Sequence, residues 1–461
     1  MQCFNPYLPS WEYVPDGEPY VFGDRVYVYG SHDHVNGYVF CTGDYVCWSA
    51  PVDDLSDWRY EGVIFERTAD PLNKDGLMNL YAPDVTVGPD GRYYLYYVLD
   101  KVAVVSVAVC DTPAGKYEFY GYVHYDDGTR LGEREGDEPQ FDPGVLTEGE
   151  RTYLYTGFCG IGDPERSGVM ATVLASDMLT IIENPVFIVP GNCYGKGTDF
   201  EGYEYFEAAS IRKIEDTYYF VYSSTQMNEL CYATSKSPTK DFRYGGVIVS
   251  NCDLNIDTYK PKSMRAYPAG NNHGSIIEIN GVWYVFYHRM TNGTWFSRQG
   301  LIERITVEDN GDIAQVEMTS LGANGKPLKG QGEYPAYIAC VLYNPDEGIE
   351  EMSAKITQDG KEGDELPCYI GGITDSTVIG FKYFDCRNIN KVSIIKRGYC
   401  KGRFEVRTSL DGGLLGSIEV ISSNIWLNFE ADINIPDGIN ALYFTYKGTG
   451  KFHLRSFILA N

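Results

Sequence analysis

Five segments of the sequence place one ionisable side chain immediately before a predicted β-strand. Each segment continues with a tight turn and an aromatic strand, and the segments recur at intervals of 58 to 68 residues. The head residues are Asp16, Asp84, Asp142, Glu207 and His273. Carboxylate pairs with separated pKa values are the groups that glycoside hydrolysis uses as acid and base. By itself the "VPDGEP" around Asp16 indicates only a turn, whereas the four later copies favour a shared site.

The same repeat predicts the fold. An interval of about 60 residues accommodates a four-stranded sheet with its loops, and five such sheets pack as blades around a channel. The 39 Tyr, 21 Phe and 50 Gly, in short β-rich runs broken by turn residues, predict an all-β chain. Equivalent positions of the blades lie at equivalent places around the axis of such a five-bladed β-propeller. We therefore expect the five heads to converge at one mouth of the channel, where like charges separate their pKa values.

Composition narrows the classes of partner. The net charge of −26 leaves no basic footprint for nucleic acid, and no apolar run approaches the length of a membrane span. The first residues, "MQCFNPYLPSWEYV", lack the basic and apolar regions of a signal peptide. The twelve cysteines are scattered singly and are expected to be reduced. These features predict a cytoplasmic protein without nucleic-acid or membrane partners.

Several motifs together are similar to those of the family 43 glycoside hydrolases. They are "PDGEP", "YAPDV", "FDPGVL", "YFEAASIRK", "GNNHGSI" and "YHR" followed by "RQGLIERI", and the resemblance covers about residues 5–322. It implies an inverting enzyme on a five-bladed propeller. By the resemblance, Asp16 is the general base, Glu207 is the general acid, and Asp142 tunes the acid and orients the substrate.

The resemblance also implies roles for residues around these carboxylates. His273 matches a position that often lies beside an axial metal, commonly calcium, or an ordered water, although the reaction is expected to require no cofactor. Arg289 matches an arginine near the sugar, and Asp84 is expected to bind hydroxyls of the terminal sugar. Glu18 is a rival for the base, and we interpret it as structural. Tyr81, Phe206 and Trp11 are the candidate pocket walls.

A Gly- and Pro-rich break at 322–335 divides a propeller domain, residues 1–322, from a second domain, residues 323–461. Short alternating strands in the second domain predict a β-sandwich, and its final part resembles jelly-roll carbohydrate-binding modules of the family 6 type. Two interpretations compete: glycan binding through Trp426 or Tyr443, or a structural companion that packs on the propeller and shapes its pocket. We favour the structural companion.

The predicted function is an exo-glycosidase that removes terminal α-L-arabinofuranosyl or β-D-xylosyl residues from plant-derived oligosaccharides. Two alternatives stay open at this point. One is a glycosidase for another terminal sugar, such as galactofuranose or a β-1,3-linked galactose. The other is a lectin-like propeller that binds sugar without cleaving it. The sequence also leaves open whether the chain forms oligomers.

Overall fold

The structure is a computed structural model that describes residues 2–347 and 353–461. Its first nineteen strands form five antiparallel sheets, which are the five blades of a propeller. The first two blades comprise β1 (Glu18–Phe22), β2 (Arg25–Tyr29), β3 (Tyr45–Pro51), β4 (Arg59–Phe65), β5 (Leu80–Val87), β6 (Tyr93–Leu99), β7 (Ser106–Cys110) and β8 (Glu118–Tyr122). The third and fourth comprise β9 (Gly144–Glu148), β10 (Arg151–Thr156), β11 (Gly168–Leu174), β12 (Ile181–Pro190), β13 (Tyr205–Ile214), β14 (Thr217–Ser224), β15 (Glu229–Ser235) and β16 (Arg243–Ser250).

The fifth blade has three strands within the described residues, namely β17 (Ser275–Ile279), β18 (Val282–Thr291) and β19 (Thr294–Ile305). The ring closes because the first strand of every blade contacts the first strands of its neighbours, β1 next to β17 included. A parallel bridge joins Gly17 to Gly274, each directly after a head residue. A Cβ on Gly274 would lie 1.9 Å from the carbonyl oxygen of Phe286, so this close approach requires glycine.

Alternating aromatic and β-branched residues bury the faces between blades. Val26, Val28 and Trp48 of the first blade pack against Phe286 and Ile302 of the fifth, which seals the propeller with hydrophobic burial rather than a covalent link. The predicted all-β class and the five-bladed propeller are confirmed. No helix in the described ranges is long and apolar enough to cross a membrane.

The chain continues into a further β domain of nine connected strands. Its core is dominated by aromatic residues such as Phe381, Phe404, Phe444 and Phe457, in agreement with the predicted β-sandwich. The strands are β20 (Leu328–Lys329), β21 (Gly332–Pro335), β22 (Val341–Tyr343), β23 (Lys355–Thr357), β24 (Tyr369–Ile373), β25 (Val378–Cys386), β26 (Lys391–Arg407), β27 (Gly416–Asp432) and β28 (Gly438–Ala460). Within the described residues, the remaining elements are three short 3₁₀ helices, Arg67–Ala69, Asn192–Tyr194 and Ala336–Ile338.

One hydrophobic core runs from the last two blades into this C-terminal domain. Val285 and Leu301 of the fifth blade share it with Ile338 and Val341. The buried Lys382 ammonium reaches back to the propeller, where it lies 3.1 Å from a carboxylate oxygen of Asp253. Because the shared surface is apolar and contains a buried ion pair, it resembles a domain interior more than a hinge between independent modules.

Candidate active site

Four of the five head residues line one cavity of about 310 Å³ at the mouth of the channel. They are Asp16, Asp142, Glu207 and His273. The full set of lining residues is Asp16, Phe40, Cys41, Tyr81, Ala82, Phe141, Asp142, Phe158, Phe206, Glu207, Met227, Asn271, His273, Trp295 and Arg298. The chain positions of these residues span nearly 300 residues, so the propeller ring alone brings them together.

Asp16 is buried and lies within a cationic environment. Arg298 donates from Nη1 to its Oδ1 at 2.9 Å, and Nδ1 of His288 lies 3.3 Å from the same oxygen. Burial by itself would raise the pKa of Asp16, but the Arg298 guanidinium lowers it below the usual value. Asp33 holds this guanidinium with bonds of 2.7 Å from Nε and 3.0 Å from Nη2. Asp16 is therefore ionised at neutral pH.

The pKa of Glu207 is shifted in the opposite direction from that of Asp16. Burial, together with the negative charge of Asp16, raises its pKa to about 7, and its only side-chain hydrogen bond among the described residues is a long one of 3.5 Å from Asn271. Burial and the neighbouring Glu207 carboxylate also raise the pKa of Asp142 well above its usual value. Asp142 accepts the backbone N–H of Ala208 at 3.0 Å. This bond ties the carboxylate of the third blade to the bulge beside Glu207.

Residues with positive φ lie at or next to each of these three carboxylates and orient their side chains. Asp16 and Asp142 have φ of 57° and 42°, and Ala208, next to Glu207, has φ of 70°. The pairing of β13 with β14 shifts register on both sides of Glu207. A bulge re-aims the side chain of a strand, and left-handed non-glycine residues concentrate at functional sites. The strained positions therefore coincide with the three carboxylates.

Below the cavity, a second group of ionisable residues lies along the propeller axis. His273 Nδ1 is 3.6 Å from Asp142 and its Nε2 is 3.9 Å from Glu18. Arg212 pairs with Glu18 at 2.6 Å. Burial and the charge of Asp84 raise the pKa of Glu18 to about 7, whereas burial lowers the pKa of His273. Glu18 thus points along the axis rather than into the cavity, as its structural interpretation requires.

Aromatic side chains form a continuous wall on one side of the cavity. Tyr81 meets Phe141 at a centroid distance of 5.5 Å, Phe141 meets Phe158 at 5.4 Å, and Phe158 meets Phe206 at 5.1 Å. Tilted and edge-on contacts at these distances are favourable. An apolar wall facing carboxylates suits a ligand with one C–H face and several hydroxyls.

Comparisons with known proteins agree with this geometry. The model of the Glycosyl hydrolases family 43 matches residues 14–313. A xylosidase/arabinosidase of Thermoclostridium stercorarium is 68% identical over 99% of this chain and 99% of its own length. This chain belongs to glycosyl hydrolase family 43.

Solved structures extend the likeness of this family 43 hydrolase. The arabinoxylan arabinofuranohydrolase of Bacillus subtilis, in complex with cellotetraose, superimposes with a TM-score of 0.53 at 20% identity, over 99% of this chain and 97% of its own. That likeness concerns the fold alone, but it includes the C-terminal domain. A β-xylosidase/α-arabinofuranosidase from a compost microbial metagenome, with xylotriose and in a calcium-free form, gives a TM-score of 0.52 at 25% identity, over 68% of this chain and 97% of its own.

Three predicted site residues of the hydrolase lie elsewhere in the structure. Asp84 is fully buried, accepts from Tyr20 at 2.6 Å and from the Val145 N–H at 2.7 Å, and does not line the cavity. Both oxygens of this carboxylate already accept hydrogen bonds from the protein, so the predicted contact with sugar hydroxyls is wrong. Trp11 lines a different cavity, between the first blade and the C-terminal domain. Its segment packs on that domain, where the Tyr13 hydroxyl donates to Gln358 Oε1 at 2.7 Å.

The predicted position of Arg289 near the sugar is also wrong. Its guanidinium donates to the carbonyl oxygens of Ala339 and Tyr337, at 2.8 and 2.7 Å, in the C-terminal domain. Successive strand residues face opposite sides, and in β18 it is His288 that faces Asp16. The arginine of the cavity is Arg298, in β19. Tyr81 and Phe206, in contrast, both lie in the cavity wall.

Sequence reasoning missed four residues around the carboxylates, namely Asp33, Asn271, His288 and Arg298. Signals for three of them were present, since His288 lies in "YHR", Arg298 begins "RQGLIERI" and Asn271 lies in "GNNHGSI". Asp33, in "SHDH", had no such signal, because its importance comes from bonds to an arginine 265 residues away. In the second domain Tyr443 is buried and unavailable to a glycan, whereas Trp426 packs against Arg397 and Tyr369.

Proposed function

We propose that this family 43 hydrolase is an inverting exo-glycosidase that removes terminal α-L-arabinofuranosyl or β-D-xylosyl residues from plant-derived oligosaccharides. The supporting observation is that one cavity contains two carboxyl groups with opposite pKa shifts. Asp16 is held ionised beside Arg298, and Glu207 has its pKa raised to about 7. At neutral pH a general acid must be protonated and a general base must be ionised, and these opposite shifts favour both states.

In the proposed reaction, Glu207 donates its proton to the oxygen of the leaving group. Asp16 accepts a proton from a water molecule, whose oxygen attacks the anomeric carbon from the opposite face and inverts its configuration. Asp142 tunes and orients the acid in this proposal, since it accepts the Ala208 N–H next to Glu207 at 3.0 Å. His288 has its pKa lowered to about 3 by burial and by Arg298, so its neutral ring accepts the Asp16 N–H at 3.3 Å and fixes the base.

The size of the cavity supports exo action. Its volume of about 310 Å³ is at the lower end of the range of ligand pockets, about 300–1,000 Å³, and suits one enclosed sugar ring. The pentose specificity is supported by the relative at 68% identity, which is a xylosidase/arabinosidase. No observation on this chain favours galactose, and the complete acid–base set disfavours a lectin.

The proposal includes an axial calcium ion that few protein side chains would bind directly. Among the described residues no group of three or more His, Cys, Asp and Glu side chains is arranged to hold a metal. Glu18 Oε1 is a buried oxygen without a hydrogen-bond partner in the described part of the chain, and it faces His273. Calcium prefers six to eight oxygen ligands, so Glu18 would supply one carboxylate oxygen, waters would supply the rest, and His273 would contact the ion through one of these waters.

A cytoplasmic location and the division at residue 322 remain parts of the proposal. The twelve cysteines all carry free thiols, which suits a reducing compartment. Cell fractionation tests the location, and an extracellular majority would refute it.

The test of the reaction uses 4-nitrophenyl α-L-arabinofuranoside and β-D-xyloside. Wild type is expected to hydrolyse at least one of them, and Asp16→Asn and Glu207→Gln are each expected to lose at least 100-fold in kcat/KM. Glu229→Gln is the matched control, because Glu229 is a buried carboxylate of the same blade with its pKa also raised by burial to about 7 but lies outside the cavity. It should keep wild-type activity.

NMR of the first-formed anomer tests the stereochemistry. Inversion is expected, and retention would refute the roles of Asp16 and Glu207. A wild-type enzyme that binds xylose but is silent on both aryl glycosides would instead favour a lectin.

A further inference from the structure

The hairpin between β18 and β19 connects the cavity to the C-terminal domain. Its turn residues, Asn292 and Gly293, both have positive φ, which is the geometry of a tight Asn-Gly turn. Thr291 pairs with Thr294, whereas Met290 pairs with Arg298. The β19 arm therefore contains three extra residues, 295–297, which bulge out of the ladder next to the cavity.

Trp295 is the first residue of this bulge and occupies the cavity mouth. It is 47% exposed, which makes it the most exposed of the described residues that line the cavity. Asp16 and Asp142, at the deep end, are each 4% exposed. A terminal sugar that reaches these carboxylates fills the deep end, so the next sugar of the chain must pass the indole.

The C-terminal domain holds the turn that positions this indole. The Asn292 N–H donates to the carbonyl oxygen of Ile356 at 2.7 Å, and Thr357 Oγ1 donates to Asn292 Oδ1 at 2.8 Å. Asn292 also donates to the hydroxyl of Tyr13 at 3.3 Å and is itself buried. The turn is thus paired with β23 as if it were one more strand residue.

A small cavity of about 110 Å³ lies between the hairpin and β23, and both Trp295 and Ile356 line it. The indole therefore has the catalytic cavity on one side and the C-terminal domain on the other. The bulge has no ladder pairing, and two contacts hold its ends. Ser297 Oγ donates to the carbonyl oxygen of His34 at 2.6 Å, and β23 holds the turn that precedes Trp295.

We propose that Trp295 is the binding platform for the sugar on the leaving-group side, and that the C-terminal domain positions it through the bonds of Thr357 and Ile356 to Asn292. The inference rests on the proposed exo-glycosidase function and deepens it. The ligand class is the second pyranose ring of a short neutral oligosaccharide, whose C–H face covers the indole. The second domain then contributes to specificity for the leaving group without itself binding polysaccharide.

Binding measurements separate this inference from the catalytic proposal. In a Glu207→Gln background, calorimetry with xylose and xylotriose reports the terminal sugar and the extended ligand separately. Trp295→Ala is expected to weaken xylotriose about tenfold and xylose less than twofold. The matched control is Tyr399→Ala, which removes a ring that is 68% exposed on the C-terminal domain and should change neither affinity.

Thr357 tests the positioning step. Thr357→Val removes the hydroxyl at nearly constant volume and is expected to weaken xylotriose about threefold to fivefold, with xylose unchanged, whereas Thr357→Ser should restore binding. Equal losses for the two ligands in Trp295→Ala, or no loss for either, would overturn the platform. A Thr357→Val protein with wild-type xylotriose affinity would overturn the positioning by the C-terminal domain.

The two proposals fail in distinguishable ways. If Trp295→Ala weakens the binding of xylotriose but not of xylose while wild type hydrolyses no pentoside, the proposed reaction is refuted and the platform stands. If wild type binds neither xylose nor xylotriose, the platform and the β-D-xylosyl specificity are refuted, whereas hydrolysis of the arabinofuranoside would still support the proposed reaction.

Discussion

The strongest prediction concerns the cation beside the base. Arg298→Gln removes the charge that lowers the pKa of Asp16. Because Asp33 would then be a buried carboxylate without its cation, the substitution is made together with Asp33→Asn, which leaves a neutral amide pair in the same space. Breaking only one side of such a buried pair typically costs about 3–5 kcal/mol, and the double change avoids that loss.

The magnitude follows from the bond that disappears. Arg298 donates to Asp16 at 2.9 Å in a buried site, and a hydrogen bond between charged groups contributes about 1.5–3 kcal/mol. One pKa unit corresponds to about 1.4 kcal/mol, so the pKa of Asp16 should rise by about 1–2 units. The base works only when it is ionised. The acidic limb of the kcat/KM profile should therefore move to higher pH by the same amount.

The assay is the pH dependence of kcat/KM on an aryl pentoside between about pH 3.5 and 9. In wild type, activity should fall as the pH rises through about 7, because Glu207 loses the proton that it donates. The acidic limb should lie below the usual range of an aspartate. An unmoved acidic limb in Asp33→Asn/Arg298→Gln would refute the role of Arg298 in keeping Asp16 ionised.

Arg289→Gln is the matched control for this measurement. Arg289 is an equally buried arginine of the same blade, but its bonds go to Gln299 and to carbonyl oxygens of the C-terminal domain. It should lose stability and keep both limbs of the profile in place. A shift of the acidic limb in this variant would show that general loosening, rather than the local cation, moves the pKa.

Two further predictions concern the second domain. Lys382→Met removes the buried ammonium between the domains and should lower the free energy of unfolding by about 3–5 kcal/mol in urea titrations, whereas Lys391→Met, at an exposed ion pair, should change it by less than about 1 kcal/mol. Deletion of the chain after residue 325 should yield little soluble protein, because it exposes the apolar core that Val285 and Leu301 share with the second domain. A soluble truncated propeller that melts like wild type and loses only affinity for polysaccharide would contradict the structural role.

Much of the site could be predicted from the sequence because the propeller repeats. Asp16, Asp142 and Glu207 follow the same strand pattern, and the symmetry of the ring carries equivalent positions to one mouth. Asp84 shows the limit of that argument. It occupies an equivalent head position, yet its carboxylate accepts hydrogen bonds from Tyr20 and Val145. A repeat predicts the backbone position of a residue but not the hydrogen-bond partners of its side chain.

The sequence by itself thus determined the all-β class, the number of blades and the carboxylates of the cavity, because these depend on residue types at regular spacing. The tertiary structure decided which arginine reaches the base, since Arg289 and His288 face opposite sides of one strand and Arg298 follows a bulge that no periodicity reveals. It also decided the surroundings of Asp16, whose bond to Arg298 joins residues 282 positions apart. Contacts of that range depend on register and ring closure, which are properties of the folded chain.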